Sequence, residues 1–135
     1  MSDKGKGKIN PQMMNIQAAR MIADTVRSTL GPKGMDKMLV DGHGNVMVTN
    51  DGATILREVD IAHPGGKMIA EIAKTQESLC YDGTTSTVVL ASALLGNTEQ
   101  LFAKGLHPNV ICKGYYEASQ MATKFLQDEI AITDD

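Results

Sequence analysis

Apolar residues recur at every fourth position through Met14, Ala18, Ile22, Val26 and Leu30, and the pattern stops at Gly31-Pro32. That spacing suits one face of a helix; Asn10 is a capping residue type and Pro11 fits a first turn, so a helix is predicted over 11–30. In KMLVDGHGNVMVTN, two short apolar runs flank the turn residues Asp41 to Asn45, which predicts a β-hairpin over 37–49. NDGATILRE follows as a second turn leading into a short helix. Pro64 opens PGGKMIAEIAKTQESLC, where Met68, Ile69, Ile72 and Ala73 form one apolar stripe and predict another helix. The run beginning at Thr84 is too long for a strand, and Leu90, Leu94 and Leu95 give it a wide apolar face. A buried helix is predicted there, over 84–104 and ending near Gly105. From Pro108 a last helix runs to 130 through Ile111, Tyr115, Ala118, Met121, Ala122, Phe125 and Ile130. The fold class is therefore mainly α with a small β-hairpin, without internal repeats.

Composition narrows the function classes. At 135 residues the chain has the length of one domain or part of one, and 42% hydrophobic residues can build a core. A formal charge of -3 gives no field that would gather nucleic acid or an anionic membrane, so neither is expected as a partner. The basic cluster SDKGKGK sits in the first eight residues, where interspersed glycines predict a disordered tail. No apolar run reaches the length of a membrane span and no secretory signal core is present, so the expected compartment is cytoplasmic. Cys80 and Cys112 belong to no C-x-x-C pair and are read as reduced, mostly packed thiols. His43, His63 and His107 are too scattered to make a zinc site.

The chemistry concentrates in three glycine-bearing turns: LGPKG at 30–34, NDGAT at 50–54 and DGTTS at 82–86. The first ends a helix and the other two open one. A helix N-terminus presents unpaired N–H groups and the positive end of the dipole, so Gly83, Thr84, Thr85 and Ser86 can cradle a phosphate, with hydroxyls as further donors. Asp82 and Asp51 beside a phosphate call for an intervening cation, and magnesium suits one or two carboxylates plus phosphate oxygens. Taken singly, each turn is also an ordinary cap or helix stop. LGPKGMDK lacks Walker A spacing, so the motif alone does not define a P-loop.

The motifs taken in order are more specific. NIQAARMIADTVRSTLGPKGMDKMLVD, VTNDGATILRE, HPGGKMIAEIAKTQE, DGTTSTVVLASALL and GLHPNVICKGYYEA closely resemble the start of group II chaperonins, the thermosome and TCP-1 cytosolic chaperonin family, over about residues 9–130. The resemblance implies residues 9–135 to be the first half of a chaperonin equatorial domain, the GroEL-like helical unit that binds ATP and Mg2+ and makes ring contacts. It implies that Leu30, Gly31 and Pro32 line the nucleotide pocket, that Gly83, Thr84, Thr85 and Ser86 hold the phosphates, and that Asp82 carries magnesium. Asp51, with Gly52 beside it, is similar to the family aspartate that faces the γ-phosphate and orients the attacking water. The implied partners are other chaperonin subunits in a ring and, through domains beyond this stretch, unfolded protein clients. The nine methionines are read as core filler or subunit contacts, and Arg27, Lys33 and Lys37 as a solvated edge.

Two departures from the family pattern matter. Tyr81 stands where GDGTT motifs have glycine, and a positive φ there would cost about 1–2 kcal/mol and put the phosphate loop in question. Family chains are also several times longer, so the intermediate and apical domains and the returning equatorial segment with its catalytic aspartate are expected to be absent here. Whether this chain alone hydrolyses ATP is left open on that ground. The expected function is an ATP-dependent chaperone subunit represented by its N-terminal segment. The alternatives are a non-catalytic interaction protein that docks on complete chaperonin subunits, and a nucleotide-binding remnant.

Overall fold

The computed structural model describes residues 10–59 and 61–132; the tail predicted to be disordered lies outside the described residues. The element order is α1 (Pro11–Arg27), β1 (Lys37–Val40), β2 (Val46–Thr49), α2 (Gly52–Glu58), α3 (Pro64–Cys80), α4 (Thr84–Ala103) and α5 (Pro108–Phe125), followed by a π-helical turn at Leu126–Ile130. The predicted mainly helical class with one hairpin is what the chain forms. It divides into two compact units, residues 1–99 and 100–135.

The first unit is built on α1 packed against α3. Asn10 caps α1 by accepting from the Gln12 amide at 3.0 Å, and Pro11 begins the helix as predicted. The buried ridge is Ile16, Ala19, Ala23 and Val26; of the every-fourth-residue series Val26 is buried and Ala18 and Ile22 are half-buried. Each four-residue step overshoots a 3.6-residue turn by about 40°, so that stripe winds away from the core. Met14 is left exposed and Leu30 lies beyond the helix. The helix ends at Arg27, three residues short of the predicted 30, and Thr29 folds back with its hydroxyl donating to the Val26 carbonyl at 2.6 Å. On α3 the buried residues are Gly65, Gly66, Ile69 and Ala73; Met68 and Ile72, placed by the sequence on the same stripe, are exposed. Gly65 is required by close approach, because a Cβ there would collide with the Asn15 carbonyl oxygen of α1.

Ile55 and Leu56 of α2 and Val88 of α4 complete the core with Ala19, Ala23, Val26, Ile69 and Ala73. The expectation of a buried helix at 84–104 is corrected. Thr84, Val88 and Ser92 are buried, whereas Leu90 is 61% exposed and Leu94 39%. A core assembled from three other helices covers one face of α4, with Ala91 and Leu95 packed partly against it, and leaves Leu90 and Leu94 outside. Arg20 secures the far half of that face: its guanidinium lies beside Gly96 and pairs with Glu99 at 2.6 Å.

The hairpin pairs Lys37 with Thr49 through Val40 with Val46 in antiparallel register. Its turn is organised by Asp41, whose Oδ1 accepts from the amides of His43 and Asn45, both at 2.8 Å, while Oδ2 accepts from the Asn45 side chain at 2.7 Å. Leu39 packs on the core, and Met38, Val40, Val46 and Val48 are exposed.

In the second unit, the α-helix predicted to reach 130 ends at Phe125 and loosens into the π turn, closed by the Ala131 amide donating to the Leu126 carbonyl at 2.7 Å. Ile111 is its one buried hydrophobic among the described residues. Two further readings need correction. Cys80 and Cys112 are free but exposed, not packed. Met14, Met21, Met35, Met38, Met47, Met68 and Met121 are exposed, not core filler. His63 and His107 act as N-caps, Nδ1 accepting from the Gly65 and Asn109 amides at 3.1 Å. No helix among the described residues is long and apolar enough to cross a membrane.

Ile69 and Met68 are neighbours of similar size, one 1% and the other 68% exposed. Ile69→Ala should cost about 2–5 kcal/mol and Met68→Ala no more than about 0.5 kcal/mol, read as denaturation midpoints. Equal losses would show that the core is not where the structure places it.

Candidate functional site

Asp51 precedes α2 with extended backbone and caps it. Oδ1 accepts from the Ala53 amide and Oδ2 from the Thr54 amide, both at 3.3 Å, and the Thr54 hydroxyl donates to Oδ2 at 2.6 Å. The Thr54 hydroxyl is the main cause holding this carboxyl below its ordinary range; partial burial opposes it, and the two amides and the Arg57 charge assist. The aspartate is therefore ionised and fixed in direction by its own helix.

The second half of the site is the link from α3 to α4. Tyr81 ends α3 in the left-handed conformation, φ 58° and ψ 8°, with its amide donating to the Glu77 carbonyl at 3.0 Å. The conformation that a glycine would adopt freely is kept, and a tyrosine bears its cost. Its side chain, 87% exposed, points outward. Asp82 follows, Oδ1 accepting from the Gly83 amide at 2.7 Å, while Gln76 Nε2 donates to the Asp82 carbonyl at 2.9 Å. The Gly83 carbonyl takes the first helical bond, from the Thr87 amide at 2.9 Å. The amides of Thr84, Thr85 and Ser86 are thus first-turn donors with no acceptor among the described residues.

The two halves meet at Gly52. Its Cα lies against the Thr85 side chain, so closely that a Cβ would collide with Thr85 Oγ1. The N-termini of α2 and α4 therefore open into one cleft of about 430 Å³, lined by Leu30, Asn50, Asp51, Glu77, Tyr81, Asp82, Gly83, Thr84, Thr85 and Ser86. Of the residues singled out from the sequence, Gly31 and Pro32 sit in the exposed turn after α1 and do not line it. Gly52 acts from behind, as the contact that brings the helices together. Asn50 and Glu77 were not foreseen; Glu77 lies one helical turn before Tyr81, a spacing readable once the end of α3 is known. The lining has three carboxylates, Asp51, Glu77 and Asp82, and no lysine or arginine.

Replacing Tyr81 by glycine removes a left-handed cost of about 1–2 kcal/mol and adds about 0.5–1 kcal/mol of unfolded-state entropy. With the ring exposed and little packing to lose, Tyr81→Gly should stabilise the chain by about 0.5–1 kcal/mol in urea unfolding. A loss of stability would mean that the ring makes contacts worth more than its strain.

Comparison with known sequences adds the family. The TCP-1/cpn60 chaperonin family matches residues 22–135. The thermosome subunit of Pyrococcus horikoshii is 59% identical over 120 residues, 89% of this chain and 22% of that protein. Thermosome subunit beta of Archaeoglobus fulgidus is 58% identical over 121 residues, 90% of this chain and 22% of the relative. The thermosome subunit of Methanopyrus kandleri is 57% identical over 117 residues, 87% and 22% of the two. The chain thus spans about a fifth of the length of the curated relatives it matches. A family match over most of the chain and these identities agree with the motifs and the helical fold: the chain belongs to the TCP-1/cpn60 chaperonin family.

Proposed function

We propose that this chain is the nucleotide-binding and ring-contact segment of an ATP-dependent chaperonin subunit that assists protein folding. The observation that carries the nucleotide part is the lining of the cleft. The first turn of α4, with Thr84, Thr85 and Ser86, lines the same space as three carboxylates, without a basic side chain. Amides at a helix N-terminus favour an anion, whereas the carboxylates repel one. A magnesium–nucleotide complex satisfies both, and free phosphate does not. The donor set therefore fits ATP with Mg2+.

In this reading Gly83, Thr84, Thr85 and Ser86 hold phosphate oxygens through amides and hydroxyls. Asp82 holds the cation: Oδ1 is engaged with the Gly83 amide, and Oδ2 is the oxygen left for the cation. Bound magnesium would supply charge neutralisation for phosphoryl transfer. Asp51, ionised and fixed by Thr54, orients water towards the terminal phosphate. Leu30 gives the cleft an apolar wall. Gly31 and Pro32 shape the turn that presents Leu30 rather than touching the nucleotide.

Calorimetry with ATP tests this. Binding should be weak and should require magnesium, and Asp82→Ala should weaken the magnesium-dependent part by about tenfold, or about 1.4 kcal/mol. Affinity that is the same with and without magnesium would contradict the cation role.

A second observation supports the contact role, including docking on complete subunits. Leu90, Val110, Tyr116, Met121, Phe125 and Leu126 are all more than half exposed. Apolar area is worth about 25 cal/mol per Å² when covered, so a few hundred Å² drives association by several kcal/mol. Sedimentation across a wide concentration range should show self-association, with a hydrophobic dye bound in parallel. A strictly monomeric species that binds no dye would contradict it.

A further inference from the structure

Asp51 does not end the bonded chain that begins at the cleft. The Thr54 hydroxyl has one proton, and it goes to Asp51 Oδ2 at 2.6 Å, because an ionised carboxylate only accepts. The lone pairs of that hydroxyl remain, and Arg57 Nη2 donates to them at 3.1 Å. The other guanidinium nitrogen, Nη1, faces Glu77 Oε2 on α3 at 3.6 Å. Glu77 in turn accepts the Tyr81 amide through its carbonyl at 3.0 Å, one residue before Asp82. Both ends of this sequence, Asp51 on one side and Glu77, Tyr81 and Asp82 on the other, line the same cleft.

The ion pair is long, and its side chains are 60% and 38% exposed. Such a pair contributes little to stability. What the planar guanidinium does set is direction, since Nη2 donates to Thr54 of its own helix while Nη1 faces Glu77 of α3. The charged groups around Asp51 are Arg57 from its own helix, Glu77 from α3 and Asp82 from the loop before α4. Arg57 is the one cation among them.

We propose that Arg57 is a positioning residue for the reaction assigned to Asp51: through its bond to Thr54 it sets the direction of the carboxylate, with Glu77 of α3 facing the other side of the guanidinium. The inference rests on the reading of the cleft as a magnesium–nucleotide site. The depressed titration of Asp51, to which the Thr54 bond and the Arg57 charge both contribute, accords with it.

The test uses the 135-residue chain as wild type, Arg57→Met, Arg57→Lys and Thr54→Ser, with carboxyl NMR titration of Asp51 and calorimetry of Mg-ATP and Mg-ADP. Arg57→Met should raise the Asp51 titration midpoint and reduce the preference for Mg-ATP over Mg-ADP by about 3–10-fold, leaving Mg-ADP affinity unchanged. Arg57→Lys should recover part of both effects, and Thr54→Ser should retain wild-type behaviour. An unchanged Asp51 titration in Arg57→Met overturns the proposal, as does equal weakening of both nucleotides. If wild type binds neither nucleotide while the Asp51 titration still moves, the nucleotide reading fails and the positioning role falls with it.

Discussion

The contact on which the site depends is the one between Gly52 and Thr85. The first residue of α2 lies against the first turn of α4 with no room for a Cβ. Because of that approach, two helix N-termini distant in sequence share one cleft, and Asp51 comes to face the same space as Asp82 and the amides of Thr84 to Ser86. Each helix start alone is an ordinary cap. Brought together they place first-turn donors and carboxylates on one cleft, the combination on which the proposed magnesium–nucleotide reading rests.

The core serves this convergence with few residues. Ile55 and Leu56 anchor α2 directly behind Asp51, and Val88 anchors α4 one turn beyond Thr84. α3 contributes Ile69 and Ala73 to the same cluster and then ends in the left-handed Tyr81, which turns the chain back towards α4. Since α1, α2 and α3 cover only one face of α4, Leu90 and Leu94 stay outside. The rigid placement of the cleft and the exposed apolar surface thus have a common origin in a one-sided core.

Local signals were legible in the sequence and tertiary ones were not. Proline starts at Pro11, Pro64 and Pro108, the Asp41 turn and the Asp51 cap all follow from short-range chemistry, and they bounded the elements well. The repeat predicted α1 correctly but could not give its buried face, because a four-residue series follows a helical stripe over two turns and departs from it over four. Burial of α4 was overestimated because hydropathy records what a helix would prefer to cover, not what neighbours are there to cover it. DGTTS and NDGAT were readable as helix starts, yet nothing local shows that Gly52 and Thr85 touch. Tyr81 was recognised as standing in a glycine position, and the structure shows it in the strained conformation rather than a relaxed alternative. The Thr54–Arg57 support of Asp51 lay within one heptapeptide and could have been inferred from its i, i+3, i+6 spacing on a capped helix.

Backbone amide NMR of the chain during titration with Mg-ADP measures the shared cleft most directly. The largest shifts should fall on Thr84, Thr85 and Ser86, with smaller ones at Asp51 and Gly83, and Gly52→Ala should weaken all of them together by separating the two helix starts. Shifts centred elsewhere on the chain, or an unchanged pattern and affinity in Gly52→Ala, would contradict a site made by the approach of α2 to α4.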